Sequence, residues 1–252
     1  FLRSAPSDPD FMGYLLTVGM FSSGSIVVWK GIHLEGDGFG RHPTQYISFS
    51  LDGSVETDFG EFPGDEVVIA TSQEGTGILM ASVGSVPFGK RAKVAVRGTR
   101  LYYGSQDSYE ILVHEQGGDL IRLVRVDREP VPVLQEDLDA LQEEALRGVS
   151  DANRARSIRR GMDEAPVPEF FPAHGNLYAD SLGFLFVEDY RLPGDEVPVL
   201  TVFDPEGRRV GSLTLPRGLR VLDIGEDYLL GLHRDELDVE FLRLYGLNRG
   251  GS

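Results

Sequence analysis

The stretch "DYLLGLHRDELDVEFLRLYGL", Asp227 to Leu247, decides how the whole chain is read. Its centre, His233-Arg234-Asp235, spells the H-R-D of a protein-kinase catalytic loop, and Asp58-Phe59-Gly60 spells D-F-G. In a kinase H-R-D comes before D-F-G, and an asparagine stands five residues after the aspartate. Here the order is reversed, the residue five after Asp235 is Glu240, and neither V-A-I-K nor A-P-E occurs. The glycine-rich Glu35–Gly40 segment, EGDGFG, does not fit the kinase loop either. What is left is two apolar runs, YLLGL and VEFLRLY, parted by HRDELD. This spells two β-strands joined by a turn whose charges keep it in water.

Outward from that pair, short runs of β-branched, aromatic and leucine residues recur: SIVVW, QYISF, RLYYG, YEILV, LIRLV, FLFVE, VLTVF. Turn formers such as LDGS, EQGG and DPEG separate them, as in a chain of many short antiparallel strands. Several runs are apolar at consecutive positions, so both faces of those strands should be covered, which requires stacked sheets. A repeat follows the turns: strand, loop, strand, glycine turn, strand. Its turns end at Gly53, Gly117 and Gly207, and the final unit, EDYLLG…VEFLRLYGL, stops before an outer strand. About four units result. Their spacing exceeds the ~40–50 residues of a propeller blade, so insertions are required.

Two insertions are visible. From Pro132 to Gly161, Leu134, Leu138, Leu141, Ala145 and Val149 share one helical face, predicting a single α-helix. Acidic Glu136, Asp137 and Asp139 open it and Arg154, Arg156, Arg159 and Arg160 close it, which suits a helix dipole. The stretch from Pro63 to Gly89 holds EVVIA and ILMAS, predicting a hairpin. Tyr14 to Trp29, the most apolar early stretch, is too short and too interrupted by SSGS to span a bilayer, and reads as two strands and a turn.

The chain has 252 residues, 40 acidic against 24 basic, and a formal charge of −16. That balance opposes nucleic acid and anionic lipid, both polyanions. With no cysteine, disulfides, thiolate chemistry and cysteine-ligated metals are excluded. The five histidines show no H-x-H or H-E-x-x-H spacing, and no D-x-D-x-D-G loop or G-x-S-x-G elbow occurs. No cofactor, metal site or catalytic residue is therefore assigned. An axial site could still gather His174, Asp180 and Asp223 from separate units, against the plainer reading of ordinary surface placement.

Two clusters are candidate binding residues. Asp227, His233, Arg234, Asp235 and Glu236, with Asp238, could form one patch at a propeller mouth; a solvated turn is the bland alternative. Arg154, Arg156, Arg159 and Arg160 could dock a phosphate or an acidic partner, against simple stabilisation of a helix C-terminus.

The patterns G-T-R-L-Y-Y-G, F-D-P-E-G-R and D-Y-L-L-G…R-D-E-L-D-V-E, across Val86 to Leu247, resemble uncharacterised bacterial six-bladed β-propellers of the TolB/NHL-like kind. The resemblance implies an all-β propeller over 1–252 with a helical insertion at 132–161. It also implies an exported protein, periplasmic or extracellular. Members usually carry an export leader; this sequence shows none and about four blades, so N-terminal blades are expected to lie outside it. The function expected is a non-catalytic binding or protein-interaction module for a protein, peptide or small molecule. Alternatives are a subunit of an exported or membrane-associated assembly docking through the helix, and a propeller hydrolase or lyase with an axial site.

Overall fold

The computed structural model describes residues 15–31, 38–74, 78–235 and 239–249. They form four antiparallel sheets in chain order. The first holds β1 (Leu15–Met20), β2 (Ile26–Gly31), β3 (Gly38–Phe49), β4 (Val55–Glu74) and β5 (Ile78–Ser85). The second holds β6 (Lys93–Arg97), β7 (Arg100–Gly104), β8 (Glu110–Glu115) and β9 (Leu120–Arg125). Helices α1 (Gln135–Leu146) and α2 (Ala152–Glu164) follow. The third sheet holds β10 (Leu177–Ala179), β11 (Leu185–Glu188), β12 (Val199–Phe203) and β13 (Arg209–Thr214), and the fourth β14 (Leu219–Ile224), β15 (Tyr228–Arg234) and β16 (Glu240–Gly246).

The leading strands β1, β6, β10 and β14 are neighbours in that order, and the sheets stack face to face outward from them. This is a propeller arrangement of four blades, mostly β. The repeat corresponds to the outer three strands of each blade, β2–β4, β7–β9 and β11–β13. The inner strand of each blade precedes the repeat. VEFLRLY is the last described strand of blade 4, and EVVIA and ILMAS pair as the expected hairpin, Val67 to Glu74 against Ile78 to Ser85.

Consecutive apolar letters have the physical cause expected of them. Tyr102 and Tyr103 are both 2% exposed, yet Tyr103 packs with Phe21, Tyr46 and Phe62 of blade 1, and Tyr102 with Leu177, Leu185 and Val187 of blade 3. Likewise Leu185 and Val187 face blade 2 while Phe186 joins Leu200, Leu219 and Val221 between blades 3 and 4. Each such side chain removed from water contributes about 1.5–3 kcal/mol.

The β3–β4, β8–β9 and β12–β13 turns share one hydrogen-bond scheme. Gly53 N donates to Ser50 O, Gly118 N to Glu115 O and Gly207 N to Asp204 O, each glycine at φ between 82° and 100°. The repeat glycine of blade 2 is therefore Gly118, one residue beyond Gly117, because only that position takes the left-handed backbone.

The insertion is two helices, not one. Gly148, at φ 74°, ends the first, and Asp151 caps the second by accepting from Arg154 N at 2.7 Å. The apolar spacing ran on to Val149, but the glycine and the aspartate cap break the backbone there. Leu138, Leu141 and Ala145 stay on α1; Leu134 and Val149 flank it. The arginines consequently run along α2 from its first turn, so stabilisation of a helix C-terminus does not account for Arg154 and Arg156. The helices pack on each other and neither buries a residue. Their root is tied by a short ladder, with Val133 N on Glu169 O and Phe171 N on Val131 O. No described helix is long and apolar enough to cross a membrane.

Candidate functional site

The inner strands share one direction, so the propeller has two unlike ends. At one lie the tight glycine turns. At the other, here the loop face, lie the β2–β3, β7–β8, β11–β12 and β15–β16 connections and the root of the helical hairpin.

Three of the connecting segments on the loop face are knotted together by Gln106. Its side chain accepts from Arg91 N at 2.7 Å and donates to the carbonyl of His174, and its backbone carbonyl accepts from Ala173 N. Gln106 is 2% exposed and adopts φ 68°, a strained conformation for a residue with a side chain. Arg41 of blade 1 reaches the same loop, bonding Asp107 and the Ser105 carbonyl.

Next to this knot a polar chain runs from blade 2 into blade 3. Lys93 Nζ donates to Asn176 Oδ1 at 2.9 Å, and Asn176 Nδ2 donates to Glu188 Oε2 at 2.7 Å. Arg191 stands 3.4 Å from the other oxygen of Glu188. Burial pushes the Lys93 ammonium below its ordinary range, with Arg91 adding to the effect. His174 is fully buried and its pKa falls to about 4, chiefly through burial, so at neutral pH it is uncharged. Its Nε2 has no partner, and a Cβ on Gly104 would sit 2.5 Å from its Cε1. That imidazole is packed in, not presented to a substrate.

Beside the axis, between blades 2 and 3, opens a cavity of about 750 Å³. Its walls are the 107–109 loop, the 125–131 segment leaving β9, the returning 170–173 segment and the 189–199 loop. The two ends of the hairpin root thus form part of its wall. Phe171 and Tyr190 lie 5.7 Å apart, and the Arg128 guanidinium sits 5.1 Å above the Tyr109 ring. Burial pushes the Tyr109 hydroxyl up to about 12. Asp189 accepts from Thr201 Oγ1 at 3.1 Å and lies 3.5 Å from Arg128.

The expected site residues are dispersed. His233 and Arg234 end β15 on the loop face, and Arg234 pairs with Glu240 at 2.6 Å. Asp235 accepts from Val239 N, closing the β15–β16 turn. Asp227 sits at the other end of β15, roughly 20 Å away by strand rise, where its carbonyl accepts from Leu247 N. One patch uniting Asp227 with His233–Asp235 is not formed. Glu236 and Asp238 lie outside the described residues. Arg154, Arg156, Arg159 and Arg160 are exposed on α2; Arg156 bonds Asn153 and Arg160 pairs with Glu164. The conceivable axial trio also separates. His174 is on the loop face, while Asp180, paired with Arg249, and Asp223, paired with Arg97, are on the turn face. Among the described residues no group of three metal-ligating side chains converges.

Sequence reasoning missed Tyr109, Arg128, Phe171, Asp189 and Tyr190, which come from four separate segments with no motif. The available signal was the proline- and aromatic-bearing pair flanking the insertion, VDREPVP and PEFFPAHG.

Sheet stacking, inner-strand direction and this off-axis cavity define the class: a β-propeller protein with a helical hairpin between its second and third blades. No protein-family model and no curated protein matches the chain. Among solved structures it is similar to a member of the DUF4221 family from Bacteroides vulgatus, at 10% identity and TM-score 0.39, covering 93% of this chain and 64% of that one. It is also similar to a candidate 6-phosphogluconolactonase from Bacteroides fragilis, at 12% identity and TM-score 0.32, covering 93% and 72%. Another from Bacteroides uniformis shows 11% identity and TM-score 0.23, covering 89% and 82%. The chain thus spans less than two thirds of the first of these proteins, and none of the three carries an activity over to it.

Proposed function

We propose that the protein is a non-catalytic binding propeller whose ligand or partner engages the loop face between blades 2 and 3. The observation that carries this reading is the cavity itself, in which each lining base is tied to a carboxylate. Lys90 pairs with Asp107, Arg128 with Asp189, Arg191 with Glu188 and Arg125 with Glu110. A general acid or base needs a pKa poised near neutrality and access to a reacting atom. The nearby histidine is held neutral by burial, and Lys93 is already bonded to Asn176.

A screen of small molecules and short peptides, read both by thermal shift and by mass spectrometry of products, tests the reading. Ligands should stabilise the protein, perturb amides of residues 126–131 and 189–192, and be recovered unchanged. Turnover of any stabilising compound would replace binding with catalysis.

A second reading, docking into a larger assembly through the insertion, is favoured by the exposed state of both helices and of the α2 arginines. Loss of assembly on replacing Arg156 and Arg159 by glutamate is its test.

The six-bladed count and an exported location belong to the same proposal. The count rests on the sequence resemblance and on uncovered apolar faces at both ends of the blade series. Leu242 and Leu244 are 68% and 70% exposed on blade 4, and Met20 and Val55 are 60% and 59% exposed on blade 1. Oxidative footprinting of Leu244 in the natural polypeptide decides it: protection supports further blades. The location rests on the resemblance alone, and cell fractionation decides it.

A further inference from the structure

We propose that the loop-face cavity accepts an organic cation with an apolar body, a guanidinium or ammonium group on an aromatic or aliphatic frame. Its source is either a small molecule or an arginine or lysine side chain of a peptide. The inference rests on the binding reading above and names its ligand class.

Electrostatics sets the sign of the ligand. Four bases line the cavity, Lys90, Arg125, Arg128 and Arg191, and each already lies against a carboxylate. Three further lining carboxylates, Asp127, Glu129 and Asp195, pair with no cation among the described residues. An anion entering here meets bases that each already lie against a carboxylate, with Lys90 sharing Asp107 with Arg41, while a cation meets five lining carboxylates against four lining bases on a chain whose formal charge is −16.

Shape and surface set the frame. Tyr109, Phe171 and Tyr190 supply ring surface, and Val126, Val131 and Val199 line the same space. Rings beside carboxylates hold organic cations through the ring quadrupole and direct charge together. The protein displays this geometry with a side chain of its own. The Arg128 guanidinium lies over the Tyr109 ring at 5.1 Å and beside Asp189 at 3.5 Å. Tyr109 adds an almost fully buried hydroxyl that makes no hydrogen bond of ordinary geometry and has Thr201 as its polar neighbour.

Calorimetry and amide NMR with p-aminobenzamidine, with the peptide acetyl-Phe-Arg-Phe-amide, and with benzoate as the anionic control test the proposal. The cations are expected to bind, to shift the amides of Phe171 and Tyr190, and to weaken as salt is raised, while benzoate fails. The double variant Asp127→Asn/Glu129→Gln removes two exposed carboxylates, so its fold and melting temperature are expected to stay unchanged while cation affinity drops roughly fivefold. Tyr190→Ala is expected to weaken both cations by more. Tighter binding of the peptide assigns the source to a protein, and tighter binding of p-aminobenzamidine assigns it to a small molecule. Benzoate binding as tightly as p-aminobenzamidine, unchanged affinity in the double variant, or no binding of either cation overturns the assignment. In the last case the binding reading is judged separately by the ligand screen: non-cationic hits that still perturb residues 126–131 and 189–192 would keep it, and hits mapping elsewhere would end it as well.

Discussion

Arg97 Nη1 of blade 2 stands 3.2 Å from Asp223 Oδ1 of blade 4. Arg97 also donates to the Ile224 carbonyl, and Tyr228 Oη donates to Asp223 at 2.7 Å. Two blades that are not neighbours in the series are thereby tied across the axis at the turn face, at the end opposite the cavity. Both side chains are about one third exposed, so screening limits the pair. A double-mutant cycle with Arg97→Ala and Asp223→Ala should return a coupling of about 0.5–1 kcal/mol, reduced by salt. A coupling indistinguishable from zero at low salt would show that the bridge holds nothing.

Ile111 is fully buried between blades 2 and 3, packed with Leu185, Val187 and Phe203. Ile111→Ala should cost about 2–5 kcal/mol in urea unfolding, since neighbours from two sheets cannot collapse into the space. Leu141→Ala, on a helix with no buried residue, should cost less than about 1 kcal/mol. Equal costs would contradict the separation of core from insertion.

The hairpin root predicts independence of the same kind. Val133 N lies 3.0 Å from Glu169 O, so the chain can be reclosed there. Replacing residues 134–167 with a short glycine-rich link should leave the melting temperature within about 3 °C. A drop much larger than this would mean the helices stabilise the blades.

His174 gives stability a pH dependence with a definite sign. Its folded pKa, about 4, lies below the ordinary 6.5 because burial disfavours the charged ring. Between those values the unfolded chain binds the proton and the folded chain does not, so stability falls as pH drops through that window. The loss should be on the order of 2 kcal/mol by pH 5, measured as the difference in pH slope between the natural protein and His174→Gln. Parallel slopes would mean that the imidazole is free to charge in the folded state.

Gln106→Ala removes both side-chain bonds of the knot while keeping a side chain at φ 68°. Arg91 N then loses its partner, and a destabilisation of about 2–3 kcal/mol is expected. Gln106→Gly, which relieves the backbone, should be the less damaging of the two, and the reverse ranking would show that φ strain is absent.

The residues at the candidate site show where sequence reading stops. The pairing of β15 with β16 was legible because two short apolar runs and the charged turn between them are local facts. The hairpin of β4 and β5 was legible for the same reason. Asp227 and His233 looked like neighbours because only six positions separate them, yet a strand spends those positions on distance and carries them to opposite ends of the blade. The helix boundary at Gly148 was written in the letters but masked by an apolar period that happened to continue past it.

Stacked sheets followed from the sequence alone, because adjacent apolar residues such as Tyr102 and Tyr103 point to opposite sides of a strand and both sides must leave water. The weak repeat and the extreme acidity were equally fixed by composition and order. Tertiary structure alone decided that Arg128, Tyr109, Phe171 and Asp189 share one cavity, since contacts between residues up to 80 positions apart depend on how whole blades pack and leave no local periodicity to read.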